Sequence, residues 1–99
     1  MKITLFLGDQ LLSFFLPNQV SGSYSFDESE NVNYKLINVE AEDNKWVMHS
    51  NEFVHIVYDN IYQEKVVLEP NNFYIIEREE IYYAIYTSPS FDSVHEKLH

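Results

Sequence analysis

Short runs of β-branched and aromatic residues, separated by turn signals, extend along most of this chain, and this pattern most strongly constrains its fold. Eight Tyr and seven Phe occur beside many Val and Ile, which favour strands over helices. The predicted strands are Ile3–Leu7, Leu11–Leu16, Ser23–Phe26, Tyr34–Ala41, Trp46–His49, 53–59, Tyr62–Leu68, Phe73–Glu77 and Ile81–Thr87. About ten short strands at regular spacing predict an all-β fold, an antiparallel β-sandwich.

Two local patterns refine this prediction. The turn at Gly8 reads as a tight hairpin in which glycine supplies the positive φ. The run FVHIVYD, residues 53–59, is largely apolar on both faces, which is typical of a strand between two packed layers.

The length of 99 residues predicts one domain, and we place it at residues 1–88. The remaining segment, residues 89–99, changes character. Phe91, Val94 and Leu98 fall at helical spacing, so this segment is interpreted as a linker or a short helical turn.

Composition excludes several classes of function. The chain has no cysteine, so it can form neither a disulfide nor a thiolate metal site. A net charge of −10 argues against binding to nucleic acid or to an anionic membrane surface, and it leaves open solubility or a basic partner. No apolar run approaches the roughly 20 residues that span a bilayer, so a soluble module without direct membrane contact is expected.

The loop after the third predicted strand is the most conspicuous candidate site. It carries a cluster of oxygen-bearing side chains: Asp27, Glu28, Ser29, Glu30 and Asn31. Its first, third and fifth positions fit a calcium loop, but Val32 and Asn38 stand where that loop requires Gly and Glu. A solvated polar turn is therefore favoured over a metal site.

No other residues predict catalysis, a metal or a cofactor. His49 and His55 lie on different predicted strands and could meet in space, although packing explains such a pair better than a metal does. The acid pairs Glu40–Glu42 and Glu79–Glu80 lie in or beside turns and read as solvated charges. The sequence therefore predicts that this domain is not an enzyme.

Four stretches carry a resemblance to a known family: MKITLFLGDQLLSFFLP, YSFDESENVNYKL, NKWVMHSN and REEIYYAIYTSPSFD. With its strand order, the chain resembles a forkhead-associated (FHA) domain. More narrowly, it is similar to the N-terminal FHA module of EssC-type proteins, the FtsK/SpoIIIE-like ATPases of Gram-positive type VII secretion.

The resemblance implies a phosphothreonine site that this chain does not match. An FHA domain carries a Gly-Arg pair after its third strand, and here Asp27 and Glu28 take that place. A dianionic phosphate needs charge-assisted donors such as guanidinium, so a degenerate domain is predicted. Lys45 and Asn60, with Arg78, remain as an alternative reader set.

Three functions therefore stay open. The first is a non-catalytic protein-protein interaction module, with Tyr82, Tyr83 and Tyr86 as candidate contact residues. The resemblance implies an adjoining FHA-like module and other type VII secretion subunits as partners, and another copy of the chain is a third candidate. It also implies a cytoplasmic location, tethered to the cell membrane through the rest of a longer protein. The alternatives are a phosphopeptide reader with a non-standard site and a small-molecule-binding β-sandwich.

Overall fold

The computed structural model describes residues 1–28 and 35–89, and within these ranges the chain forms ten strands and no helix. The strands are β1 Lys2–Leu7, β2 Gln10–Phe15, β3 Ser23–Phe26, β4 Ile37–Glu42, β5 Lys45–His49, β6 Val54–Tyr58, β7 Ile61–Gln63, β8 Lys65–Val67, β9 Phe73–Arg78 and β10 Ile81–Ser88. The predicted all-β fold is confirmed.

Two antiparallel sheets make up the fold. A six-stranded sheet, here called the large sheet, has the order β2-β1-β10-β9-β6-β7. A four-stranded sheet, the small sheet, has the order β3-β4-β5-β8. The first and last strands, β1 and β10, pair side by side from Lys2–Ser88 to Phe6–Ala84. This architecture agrees with the predicted antiparallel β-sandwich.

The core lies between the sheets because alternate residues of each strand point inward. Ile3 and Leu5 of β1, for example, are fully buried while their neighbours are partly exposed. The small sheet contributes Val39 and the lone Trp46, whose ring meets the Tyr24 ring edge-on at 5.6 Å. Each such aliphatic side chain removed from water stabilises the fold by about 1.5–3 kcal/mol.

Three strand predictions were wrong. The run Tyr62–Leu68 is not one strand, because the chain leaves the large sheet after Gln63 and enters the small sheet at Lys65. Between them, the Glu64 carbonyl accepts hydrogen bonds from the N–H and hydroxyl of Ser50. This shared residue marks the crossing point between the two sheets.

The second error concerns β6, which was expected to be packed on both faces. Its His55 is exposed while Val54 and Ile56 on either side are buried, so only one face meets the core. The predicted fourth strand also began too early: β4 starts at Ile37, and Tyr34 lies outside the described residues. Residues 90–99 of the predicted linker also lie outside the described residues.

Three of the two-residue hairpin turns place both residues at positive φ. The pairs Asp43–Asn44 and Asp59–Asn60 use residue types that tolerate this conformation, and Gly8 has the predicted positive φ of 56°. The β9–β10 turn instead uses Glu79 and Glu80, at φ 53° and 66°. The left-handed region costs an ordinary L-residue roughly 1–2 kcal/mol, so this turn stores backbone strain.

We expect Glu80→Gly to raise the free energy of unfolding by about 1 kcal/mol, because glycine adopts positive φ without a Cβ clash. Urea denaturation followed by tryptophan fluorescence measures the change. Asn44→Gly is the matched control and should change stability by only about a few tenths of a kcal/mol, since Asn already suits its turn. Equal effects of the two substitutions would contradict the strain argument.

Candidate functional site

The predicted loop after β3 begins with two acids that are not solvated. Asp27 and Glu28 reach the single arginine of the chain, Arg78, at the end of β9. Arg78 Nη1 lies 3.3 Å from Asp27 Oδ1, and Arg78 Nη2 donates to Glu28 Oε1. The side chains of Arg78 and Asp27 are 8% and 2% exposed, so the solvated turn was the wrong interpretation for Asp27.

This group, here called the Arg78 cluster, joins the small sheet to the large one. Arg78 Nη2 also lies 3.3 Å from the Tyr83 hydroxyl, and its guanidinium carbon sits 5.6 Å from the Tyr83 ring centroid. Burial alone would lower the pKa of Arg78, but the contact with Tyr83 and the carboxylates of Glu28 and Asp27 raise it overall. The arginine is thus held as a cation by partners from within the chain.

The cluster carries more negative than positive charge. Asp27 Oδ1 accepts the Glu28 backbone N–H at 2.7 Å, whereas Asp27 Oδ2 and Glu28 Oε2 are buried and form no hydrogen bond. A phosphate bound to Arg78 would lie close to these carboxylates, and like charges repel strongly where water is excluded. Ser29, Glu30 and Asn31 of the predicted loop lie outside the described residues.

The alternative reader set does not come together. Lys45 Nζ lies 3.8 Å from Glu69 Oε1. The Glu69 backbone N–H donates to the hydroxyl of Tyr74, which lies near the start of β9. Arg78 is the last residue of β9 and follows Tyr74 by about 13 Å along the strand, given the rise per residue of a β-strand. Asn60 sits in the β6–β7 turn beside a surface cleft of about 500 Å³. Lys45 and Arg78 are therefore at different ends of the sandwich.

The two histidines also fail to meet, because they lie on the outer faces of different sheets. His55 belongs to β6 of the large sheet, and His49 belongs to β5 of the small sheet. His49 instead meets two acids of β4: its Nε2 is 2.7 Å from Glu42 Oε2 and 3.7 Å from Glu40 Oε2. Although the two atoms are close, His49 Nε2 makes no hydrogen bond of good geometry to Glu42.

This Glu40–Glu42–His49 group has the donor types of a transition-metal site, with its ligand atoms within 4.8 Å of one another. However, Lys65 Nζ already lies 3.1 Å from Glu42 Oε1, and this hydrogen bond lowers the pKa of Glu42. A resident cation thus occupies one ligand of the set. The group is best described as a charge network on the outer face of the small sheet.

The outer face of the large sheet is very different, because an apolar row crosses it. The strand registers place one residue from each of the six strands in line: Leu11, Phe6, Ala84, Ile75, Val57 and Tyr62. Leu11 is 63% exposed and Ile75 is 42% exposed. We call these six residues the apolar row.

Aromatic side chains extend the apolar row on both sides. Phe73 and Tyr86 pack with ring centroids 4.8 Å apart, and the Tyr86 hydroxyl donates to Asn71 Oδ1 at 3.0 Å. Tyr62 donates to Glu77 Oε2 at 3.0 Å, which raises the pKa of Tyr62 to about 12. These hydrogen bonds fix the positions of the two rings, and Tyr62 remains 60% exposed.

Two of the three predicted contact tyrosines belong to this face. Tyr82 is 60% exposed and Tyr86 is partly exposed, and both lie on the outer face of β10. Tyr83 is 5% exposed, because the alternation along β10 turns it toward the core and Arg78. Tyr83 is therefore removed from the predicted interaction surface.

Comparison with known proteins identifies no relative. No family model matches the chain, and neither a curated protein nor a solved structure is significantly similar to it. Within residues 1–28 and 35–89 there is also no helix with the length and apolar character needed to cross a membrane.

We expect Arg78→Met to lower the free energy of unfolding by about 3 kcal/mol, because it leaves the buried Asp27 carboxylate without its cation. Urea denaturation measures the loss. Lys45→Met breaks an exposed ion pair and should cost less than about 1 kcal/mol. Adding Asp27→Asn and Glu28→Gln to Arg78→Met should restore part of the stability. A similar cost for both single variants would show that the cluster does not stabilise the fold.

A phosphothreonine peptide should bind no more tightly than its unphosphorylated counterpart, because Arg78 is buried and already paired with carboxylates. Calorimetric titration of both peptides at low salt checks this. A gain of about tenfold or more from the phosphate, equivalent to about 1.4 kcal/mol, would contradict the expectation and revive a phosphopeptide reader.

Proposed function

We propose that this chain is a non-catalytic protein-protein interaction module that binds its partner through the outer face of the large sheet. The observation that carries the proposal is the apolar row, which crosses all six strands. Contiguous exposed apolar side chains are costly to expose to water and mark interaction sites in folded proteins. Tyr82 and Tyr86 add aromatic contact area with polar tips, a composition that interfaces favour.

The charges around this face indicate the chemistry of the partner. Acidic side chains lie in its turns and on β9: Asp9, Asp59, Glu77, Glu79 and Glu80. The only lysine and arginine side chains on the strands of the large sheet are Lys2 and the buried Arg78, and His55 lies on β6. A partner with an apolar patch edged by lysine or arginine complements this arrangement, and such complementarity raises the rate and specificity of association.

The sequence resemblance places this function in a biological setting as part of the same proposal. We infer a degenerate FHA-like domain at the N-terminal, cytoplasmic side of an EssC-type secretion ATPase, tethered to the membrane by the rest of that protein. An antiparallel two-sheet sandwich is compatible with this at the level of fold class, and the acids at Asp27 and Glu28 support the loss of phosphate reading. An adjoining FHA-like module or another secretion subunit would then be the partner.

The alternatives receive less support. A phosphopeptide reader needs an accessible arginine, and Arg78 is enclosed by carboxylates. A small-molecule site or an enzyme would need a pocket in which reactive groups converge. The cleft beside Asn60 is lined by no histidine, and His49 and His55 lie on the outer faces of different sheets.

The test uses two apolar positions of nearly equal exposure. A photo-crosslinking residue is placed at Ile75, 42% exposed in the apolar row, or at Val67, 40% exposed on β8 of the small sheet. Crosslinking in the cells that make the protein should yield a protein adduct at position 75 but not at position 67, and mass spectrometry identifies it.

Binding of the purified partner then gives the quantitative test. We expect Ile75→Glu to weaken it by at least about tenfold, because a charge is buried against an apolar surface. Val67→Glu should leave the affinity within about twofold, and added salt should weaken binding if the acidic rim contributes. Equal adducts at both positions, or unchanged affinity of Ile75→Glu, would overturn the proposal.

A further inference from the structure

Among residues 1–28 and 35–89, no strand pairs with the outer edge of β2, which ends the large sheet with a defined set of outward backbone groups. Met1 and Leu16 exchange backbone hydrogen bonds of 2.8 and 3.2 Å, so they form a hydrogen-bonded pair in the β1–β2 ladder. Such pairs alternate along an antiparallel ladder. By this alternation, Gln10, Leu12 and Phe14 bond to β1, whereas the N–H and C=O groups of Leu11, Ser13 and Phe15 point away from the sheet.

This edge lacks the features that usually prevent strands from pairing. Natural edges are kept short or carry charges, proline or bulges. β2 is six residues long, QLLSFF, and contains neither a charge nor a proline. The other edges are shorter: β7 and β8 have three residues each, and β3 has four. Among the described strands, β2 therefore offers the longest unprotected template.

We propose that two copies of this chain associate through their β2 edges, antiparallel about a two-fold axis at Ser13. In this register, Leu11 lies opposite Phe15 of the second copy, and Ser13 lies opposite Ser13 of the second copy. Leu11, Ser13 and Phe15 all have outward backbone groups, so each of the pairs that they form with the second copy exchanges two hydrogen bonds. The two large sheets then become one continuous sheet.

The register is self-complementary in its side chains as well. Residues that face each other across antiparallel strands share one face of the sheet. Leu11, 63% exposed, meets Phe15 of the second copy, 54% exposed, and the small Ser13 lies on the axis. On the inner face, Leu12 meets Phe14 of the second copy. A shift by one residue would turn outer side chains against inner ones, so the hydrophobic pattern also specifies the register.

Charge favours this edge for contact between two acidic molecules. With a net charge of −10, two copies repel each other across most approaches. β2 carries no charge, and the nearest basic side chain, Lys2, has its Nζ 6.0 Å from the Phe15 ring centroid. The absence of charge on β2 thus limits repulsion where the outward backbone groups are located.

The dimer deepens the proposed function by adding a second copy as a partner, but it depends on the β2 edge rather than on the centre of the apolar row. The pairing would place Leu11, the last residue of the apolar row, beside Phe15 of the second copy. The apolar outer faces of both large sheets would then adjoin at the axis. The dimer would therefore offer a partner protein a larger apolar surface than one copy does, without any structural change within either copy.

Sedimentation equilibrium and a pair of glutamate variants test the proposal. The protein is expected to dimerise, and Ser13→Glu should weaken the dimer by at least about tenfold by facing two carboxylates at the axis. Thr4→Glu is the matched control: Thr4 is the β1 partner of Ser13, on the same face but away from the edge. It should change the dimer affinity by less than about twofold.

A cysteine pair provides independent evidence of the geometry, since the chain contains no cysteine of its own. Hydrogen-bonded antiparallel pairs have Cα atoms about 5.5 Å apart, within disulfide range. Ser13→Cys should therefore form a covalent dimer under mild oxidation, and Thr4→Cys should not.

A protein that stays monomeric at about 100 μM would overturn the proposal, because its dimer dissociation constant would be too high for a specific interface. So would a dimer that Ser13→Glu leaves intact and Ile75→Glu disrupts, since that dimer would use the sheet face. If the protein forms the edge dimer but its partner protein binds Ile75→Glu with unchanged affinity, the proposed function is refuted and the dimer is not.

Discussion

The burial of one face of each sheet against the other is the interaction on which the rest of the structure depends. Strand geometry sends alternate side chains to opposite faces, so every strand that contributes to the core also determines what its sheet shows to water. On β9, Tyr74, Ile76 and Arg78 are inward, and Phe73 and Ile75 are consequently outward. The apolar row is therefore aligned by the same registers that align the core.

The Arg78 cluster shows how electrostatics completes this arrangement at one end of the sandwich. An arginine at an inward position of β9 would be costly to bury alone, because desolvation of a charge exceeds most single packing gains. Asp27 and Glu28 approach it from the small sheet and supply the opposite charge. A guanidinium on a loop could bind a phosphate. Here the guanidinium of Arg78 binds carboxylates and links the two sheets.

Local features of this fold could be predicted from the sequence, and contacts across the sheets could not. Gly8 and the Asp59–Asn60 turn are set by backbone preferences of neighbouring residues, and the strand runs follow from composition and length. In contrast, Arg78 and Asp27 are 51 residues apart in sequence. Their pairing depends on which strands end at the same end of the sandwich, and no local pattern records that.

Strand register, and the face of the sheet on which each side chain lies, also could not be predicted from the sequence. The meeting of His49 with Glu42 depends on the β4–β5 register, which a one-residue slip would abolish. Tyr83 was grouped with Tyr82 because both stand in one aromatic run, yet adjacent strand residues face opposite ways. The alternation along β10 could have separated them if its inward face had been assigned first from Ile85.

The two outer faces differ in a way that the core does not require. A sandwich can present charged side chains on both sides, and the small sheet does so with Glu40, Glu42 and Lys65. The large sheet presents the apolar row instead, although outward positions on a strand accept polar residues at little cost to folding. Stability alone therefore does not account for the difference between the faces. The proposed contact with another protein surface would account for the difference, since such an interface uses a row of apolar and aromatic side chains.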